Sequence, residues 1–174
     1  MAVLDIIIYP DARLKKMAED VKTFDLELSE LIQNLKDTMA AGPGGVGIAA
    51  TQVGVMRRIV IVDVSSYPKI KHAKHHGHLT LINPEIIDWQ GMKKGREGCM
   101  SVPDFTGNVI RAENIILKAL DENGMQQKYE MEGFEARAVQ HEIDHLDGLL
   151  FLDRLVSRRN DLFKRKKLNR KGKS

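Results

Sequence analysis

Hydrophobic positions along this chain fall into alternating helical and extended patterns. Residues 25–39 place Leu28, Leu31, Ile32, Leu35 and Met39 at helical spacing, and Gly42-Pro43-Gly44 breaks the run. Residues 58–64 are rich in β-branched side chains and predict a buried strand. Residues 79–83 and 85–89 predict two further strands, and residues 115–120 and 125–131 flank Asn123-Gly124, a hairpin signal. A short helix is expected over residues 11–18. A longer one is expected over residues 134–146, which contain neither Gly nor Pro. Strands followed by a helix predict an α+β fold, with antiparallel sheets wrapped around a central helix and a basic helix closing the chain. No repeat or linker interrupts the chain. Residues 1–153 are expected to form one catalytic unit, with residues 154–174 as its basic C-terminal helix or tail.

The expected central helix carries the chemistry. His141-Glu142-Ile143-Asp144-His145 is an H-E-x-x-H motif, and residues four apart share one helix face. His141 and His145 can therefore offer imidazole nitrogens to one metal, with Glu142 beside them as a general base for water. A solvated helix can carry such a pattern idly. Here Leu146, Leu149, Leu150 and Phe151 follow it, which points the histidines inward, where buried imidazoles need polar partners. Zinc peptidases with this motif draw a third ligand from downstream. The position of a third histidine is Phe151, and no Glu follows Glu142. The third ligand must come from upstream, and Cys99 is the best candidate. Two imidazoles and a thiolate leave a fourth position open, which suits hydrolysis.

Three segments together resemble the peptide deformylase family. They are Gly45-Val46-Gly47-Ile48-Ala49-Ala50-Thr51-Gln52, Glu97-Gly98-Cys99-Met100-Ser101, and Gln140-His141-Glu142-Ile143-Asp144-His145-Leu146-Asp147-Gly148. Weaker matches are Pro10-Asp11-Ala12-Arg13-Leu14, Ile82-Asn83-Pro84-Glu85 and Arg111. The resemblance spans residues 5–153. It implies removal of the N-formyl group from the N-terminal formyl-methionine of newly made polypeptides, with release of formate. It implies Cys99, His141 and His145 as ligands of one divalent metal, Fe(II) in the first place, with zinc, nickel and cobalt able to take the same donors. Glu142 becomes general base and acid. The side-chain amide of Gln52 and the backbone N–H of Met100 become donors to the developing oxyanion. The small residues around Val46, Gly47 and Gly98 let a peptide backbone approach and pair as an added strand. Arg137 lies where the family builds its methionine pocket, its stem lining the pocket and its guanidinium reaching water. Glu97 is expected to orient a histidine or to pair with Arg111.

Composition narrows the setting. The chain has 174 residues, 43% of them hydrophobic, and a single cysteine, which excludes an internal disulfide framework and fits a reducing compartment. Its start lacks a basic n-region, and no apolar stretch approaches membrane-spanning length. A cytoplasmic monomer with no membrane partner is expected. The whole chain carries +3, yet residues 154–174 alone carry +9, leaving −6 for residues 1–153. A solvated basic end is the plain reading. Attachment to ribosomal RNA is the functional one, with acidic lipid a poorer fit for so polar a segment.

Two departures from the family stand out. Residues 71–78 hold four of the six histidines in a local loop, which either is solvated or collects a second metal. Arg96 stands where the family often has an acidic residue, changing the charge of the pocket rim. Two rival classes stay open from the residues alone. One is a metallopeptidase of unblocked peptides, the other a non-catalytic relative that binds RNA through its tail.

Overall fold

Two long strands, β3 (His78–Cys99) and β4 (Val102–Leu120), form one antiparallel hairpin on which the other elements are arranged. The computed structural model describes residues 2–42, 44–70 and 73–165. Helix α1 (Leu26–Ala41) precedes strands β1 (Gly47–Ala49) and β2 (Ile59–Asp63). After the long hairpin come β5 (Gln126–Glu132), helix α2 (Gly133–Leu146) and β6 (Leu162–Lys164). The sheet runs β1-β2-β3-β4-β5, with β6 added to β4, and every pairing is antiparallel. This is the α+β fold expected, with α2 as its central helix in contact with β1, β2, β4 and β5.

The unbroken apolar run of β2 has a simple cause. Successive side chains of a strand point to opposite faces, and both faces of β2 are covered by helices. Ile59 and Ile61 join a core with Leu28, Ile32 and Leu35 of α1, while Val60 and Val62 join Ala136, Val139, Ile143 and Leu146 of α2. Each such side chain buried contributes about 1.5–3 kcal/mol. Asp25 starts α1 by accepting the Leu28 backbone N–H at 2.9 Å.

Two expected strands fuse into one. Asn83-Pro84 looks like a break in the sequence, but the register of β3 against β4 shifts between Ile82 and Glu85, so the proline sits in a bulge, where it costs no ladder hydrogen bond. Asn83 takes a positive φ of 51° there. Its amide pairs with the backbone of Val21, accepting at 2.8 Å and donating at 2.9 Å. The short helix expected at residues 11–18 is a single 3-10 turn, Ala12–Lys15, ended by extended backbone at Lys16.

The closing basic helix requires correction within the described residues. Leu155 makes an antiparallel bridge to Val109, and β6 pairs with Phe105, Thr106 and Gly107 of β4. That edge of β4 lies beyond the reach of β5, which pairs only with residues 114–120, so the C-terminal segment is recruited as a strand to satisfy it. Residues 166–174 of the expected tail lie outside the described residues. Among the described residues no helix is long and apolar enough to cross a membrane.

Candidate active site

Helix α2 and the tip of the β3–β4 hairpin meet at a buried triad. His141 and His145 lie one turn apart on α2 with ring centroids 5.1 Å apart, and Cys99 ends β3 beside them. The ligating atoms of the three residues fall within 4.8 Å of one another, and Cys99 Sγ is 3.3 Å from His145 Nε2. Among the described residues this is the one cluster of metal-ligand geometry, so the histidine loop forms no second one there. In that loop His76 instead binds the buried Glu135 carboxylate, through its backbone N–H at 2.7 Å and its ring Nδ1 at 2.6 Å. His72 lies outside the described residues.

The charges behind the triad are tightly matched. Glu97 accepts Arg111 Nε at 3.0 Å and Nη2 at 2.9 Å, and it also meets His141 Nδ1 at 2.8 Å. Both roles expected for Glu97 are thus realised in one carboxylate. With Nδ1 engaged by Glu97, His141 turns Nε2 toward Cys99. Burial works against charge on Glu97, but the bonds from His141 and Arg111 outweigh it and hold the carboxyl far below the usual carboxylate range. Burial likewise opposes charge on His141, and Cys99 and Glu97 outweigh it, raising its pKa well above the ordinary value. His145 is driven the other way, first by burial and then by the charges of His141 and Arg111. Arg111 also reaches Asp144, which takes Arg154 through Nε at 2.6 Å and Nη2 at 3.0 Å.

Glu142 stands apart from this network. It is buried, its pKa is pushed up to about 7 by desolvation, and its Oε2 finds no partner among the described residues. Among the described residues His145 Nδ1 is the other orphaned buried side-chain atom. A metal ion with its bound water fits this donor set, since one thiolate and two imidazoles converge and an unsatisfied carboxylate waits alongside.

The rest of the expected residues surround a cleft of about 320 Å³ above the triad. It is lined by Val46, Gly47, Gln52, Gly98, Cys99, Met100, Arg137, His141 and Glu142. Gln52 sits in a 3-10 turn, Ala50–Val53, that follows β1. It donates to Ser101 Oγ at 3.0 Å and lies 3.5 Å from Cys99 Sγ, while its Oε1 accepts the Ala49 N–H at 3.0 Å. Arg137 lines the cleft, but its guanidinium does not run out to water. It donates to Glu97 Oε2 at 2.7 Å, Val109 O at 3.0 Å and Lys93 O at 2.6 Å, and its side chain is only 11% exposed. Three acceptors close by hold it more firmly than solvent would. Asp144, Ser101 and Arg154 went unread in the sequence. Asp144 alone carried a signal, as an acid three residues after His141 and so on the same helix side.

The fold and this donor set define a single-metal hydrolase. A model of the polypeptide deformylase family matches residues 3–161. A peptide deformylase of Thermodesulfovibrio yellowstonii is 43% identical over 166 residues, covering 95% of this chain and 97% of the relative. The crystal structure of a peptide deformylase from Legionella pneumophila superposes with a TM-score of 0.80 at 41% identity, covering 91% of this chain and 90% of that one. A Met-Ala-Ser-bound class I type b peptide deformylase from Acinetobacter baumannii gives 0.83 at 37% identity, covering 88% and 99%. The chain belongs to the peptide deformylase family, metal-dependent hydrolases that deformylate nascent polypeptides.

Proposed function

We propose that Glu142 performs the proton transfers of this deformylation, and its buried, unpartnered Oε2 beside the triad carries the reading. Held by Cys99, His141 and His145, a divalent ion would lower the pKa of water and polarise the formyl carbonyl. Glu142 takes a proton from the attacking water and delivers it to the departing amine, leaving formate and a free amino terminus. A carboxyl raised to about 7 is suited to both directions of transfer. As the carbonyl oxygen gains charge, the Gln52 amide and the Met100 backbone N–H donate to it. Ser101 Oγ and the Ala49 N–H hold the Gln52 amide in place from both ends.

In this reading Val46, Gly47 and Gly98 border the peptide backbone, and the stem of Arg137 lines the pocket for methionine. Support comes from the similar Acinetobacter structure, which is bound to Met-Ala-Ser. The ion is Fe(II) by the family resemblance, and a donor set of two imidazoles and one thiolate accepts it. The enzyme works as a cytoplasmic monomer on chains leaving the ribosome, its basic C-terminal segment drawn to ribosomal RNA. Formate release from an N-formyl-methionyl tripeptide tests the central claim. Enzyme loaded anaerobically with Fe(II) should release formate, and Glu142→Ala should abolish it with metal still bound. Undiminished release by the variant would remove Glu142 from the mechanism.

A further inference from the structure

The mouth of the cleft carries two guanidinium groups that the proposed chemistry does not use. Arg96 lies two residues before Gly98 in β3, so both face the same side of the strand, opposite to the buried Glu97 and Cys99. Its Nε donates to Asn108 Oδ1 at 3.2 Å and its Nη1 to Thr106 Oγ1 at 3.3 Å, with the guanidinium 3.7 Å above the Phe163 ring. Those neighbours are neutral, so the group is held in place while its charge is left unmatched. Arg165, the residue after β6, lies over the same strand. A Cβ on Gly98 would come within 2.6 Å of Arg165 Nη2. Among the described residues neither guanidinium has a carboxylate oxygen within 4.0 Å, and both line the cleft. The carboxylates inside are spoken for, Glu97 by three cations and Glu142 by the reaction.

The backbone around them sets which substrate residue would meet this charge. Among the described residues β3 beyond Ile82 pairs on one side only, with β4, and β1 pairs only with β2, so two open strand edges border the cleft. A peptide lying between them as an extended strand sends alternate side chains to opposite faces. With methionine turned inward, the second residue points to the face of Arg96 and Arg165. Both features trace to this chain's own sequence, since an arginine occupies position 96 and a basic C-terminal segment forms β6.

We propose that Arg96 and Arg165 determine specificity at the second residue, favouring formyl-methionyl chains that carry an acidic side chain there. The proposal rests on the deformylase reading. A planar, permanently charged fork suits a carboxylate, and partial exposure limits the gain to about fivefold.

The test compares kcat/KM for C-terminally amidated formyl-Met-Xaa-Ser peptides with Glu, Gln or Lys as Xaa, alongside the Gln peptide with a free terminal carboxylate. The wild type should prefer Glu over Gln by about fivefold and disfavour Lys, with the ratio falling toward one at about 0.5 M salt. Arg96→Gln and Arg165→Gln should each shrink the Glu-to-Gln ratio, and Arg96→Glu should turn the preference toward Lys. Equal use of Glu and Gln by the wild type would overturn the proposal. So would variants that keep its ratio, or a gain confined to the free-acid peptide. No formate from any peptide would instead overturn the deformylase reading beneath it.

Discussion

Gly47 is pressed against Glu142. A Cβ at position 47 would lie 2.8 Å from Glu142 Oε1 and 2.9 Å from its Cγ, closer than real side chains approach. The strand β1 thus sets the position of the buried carboxylate, and only glycine allows the approach. Gly47→Ala should push Glu142 from its place and lower kcat by on the order of a hundredfold, as misplacement of a reacting group by ~1 Å does. Metal content should stay near that of the wild type, because the atoms nearest a Cβ at position 47 all belong to Glu142. Full kcat in a folded Gly47→Ala enzyme would show that Glu142 has room to move.

Glu97 is the point where three cations converge, and removing its charge tests the network directly. In Glu97→Gln, Arg111, Arg137 and His141 would lose their common counter-charge inside the protein. Breaking a buried ion pair from one side costs about 3–5 kcal/mol, and loss of a ligand's orienting partner weakens metal binding about 10–100-fold. Denaturant unfolding and a metal-competition titration read the two effects separately. A variant as stable as the wild type with unchanged affinity would reduce Glu97 to a bystander.

Cys99 accepts from the Ser101 backbone N–H at 3.4 Å and sits 3.5 Å from the Gln52 amide, an electropositive setting for a thiolate ligand. Metal analysis should find near-stoichiometric ion in the wild type and its loss in Cys99→Ala. An iron-loaded preparation should lose activity in air faster than a nickel-loaded one, because only the iron–thiolate site is readily oxidised. Equal decay of the two would argue against iron at a cysteine-ligated site.

What the sequence made legible was local. His141, Glu142 and His145 could be read because helical periodicity alone puts them together, and β2 because both of its faces are apolar. Glu97 and Arg111 could be paired only by guess, since 14 residues and the hairpin tip separate them in the chain. The fusion of two strands across Pro84 was hidden, because a bulge in a paired strand looks the same as a turn in the sequence. β6 was hidden too. Phe163 and Asp161 sit in a run of basic residues that resembles a solvated helix, and the edge of β4 that recruits them belongs to distant sequence. Arg137 was expected to send its guanidinium to water, because its three acceptors come from β3 and β4 and leave no local trace.

Asp161 fastens β6 and gives a pH prediction with a definite sign. Its carboxylate accepts Asn108 Nδ2 at 2.9 Å and lies 3.4 Å from Lys94 Nζ, while its backbone carbonyl accepts the Asn108 N–H at 2.9 Å. The Asn108 bond first, and then Lys94, hold its pKa below the ordinary carboxylate value. In the unfolded chain it would titrate near ~4, so the unfolded state binds this proton first as pH falls. The stabilisation is therefore complete above about pH 4 and is lost as pH drops through the lower folded-state pKa. Asp161→Asn should be less stable than the wild type at neutral pH, with the gap narrowing below about pH 4 in urea unfolding. Because Asp161 precedes β6 and Arg165 follows it, the variant should also discriminate less between Glu and Gln in the second position of a formylated peptide. A stability gap that stays constant down to acid pH would mean that the charge of Asp161 does not hold β6 to the sheet.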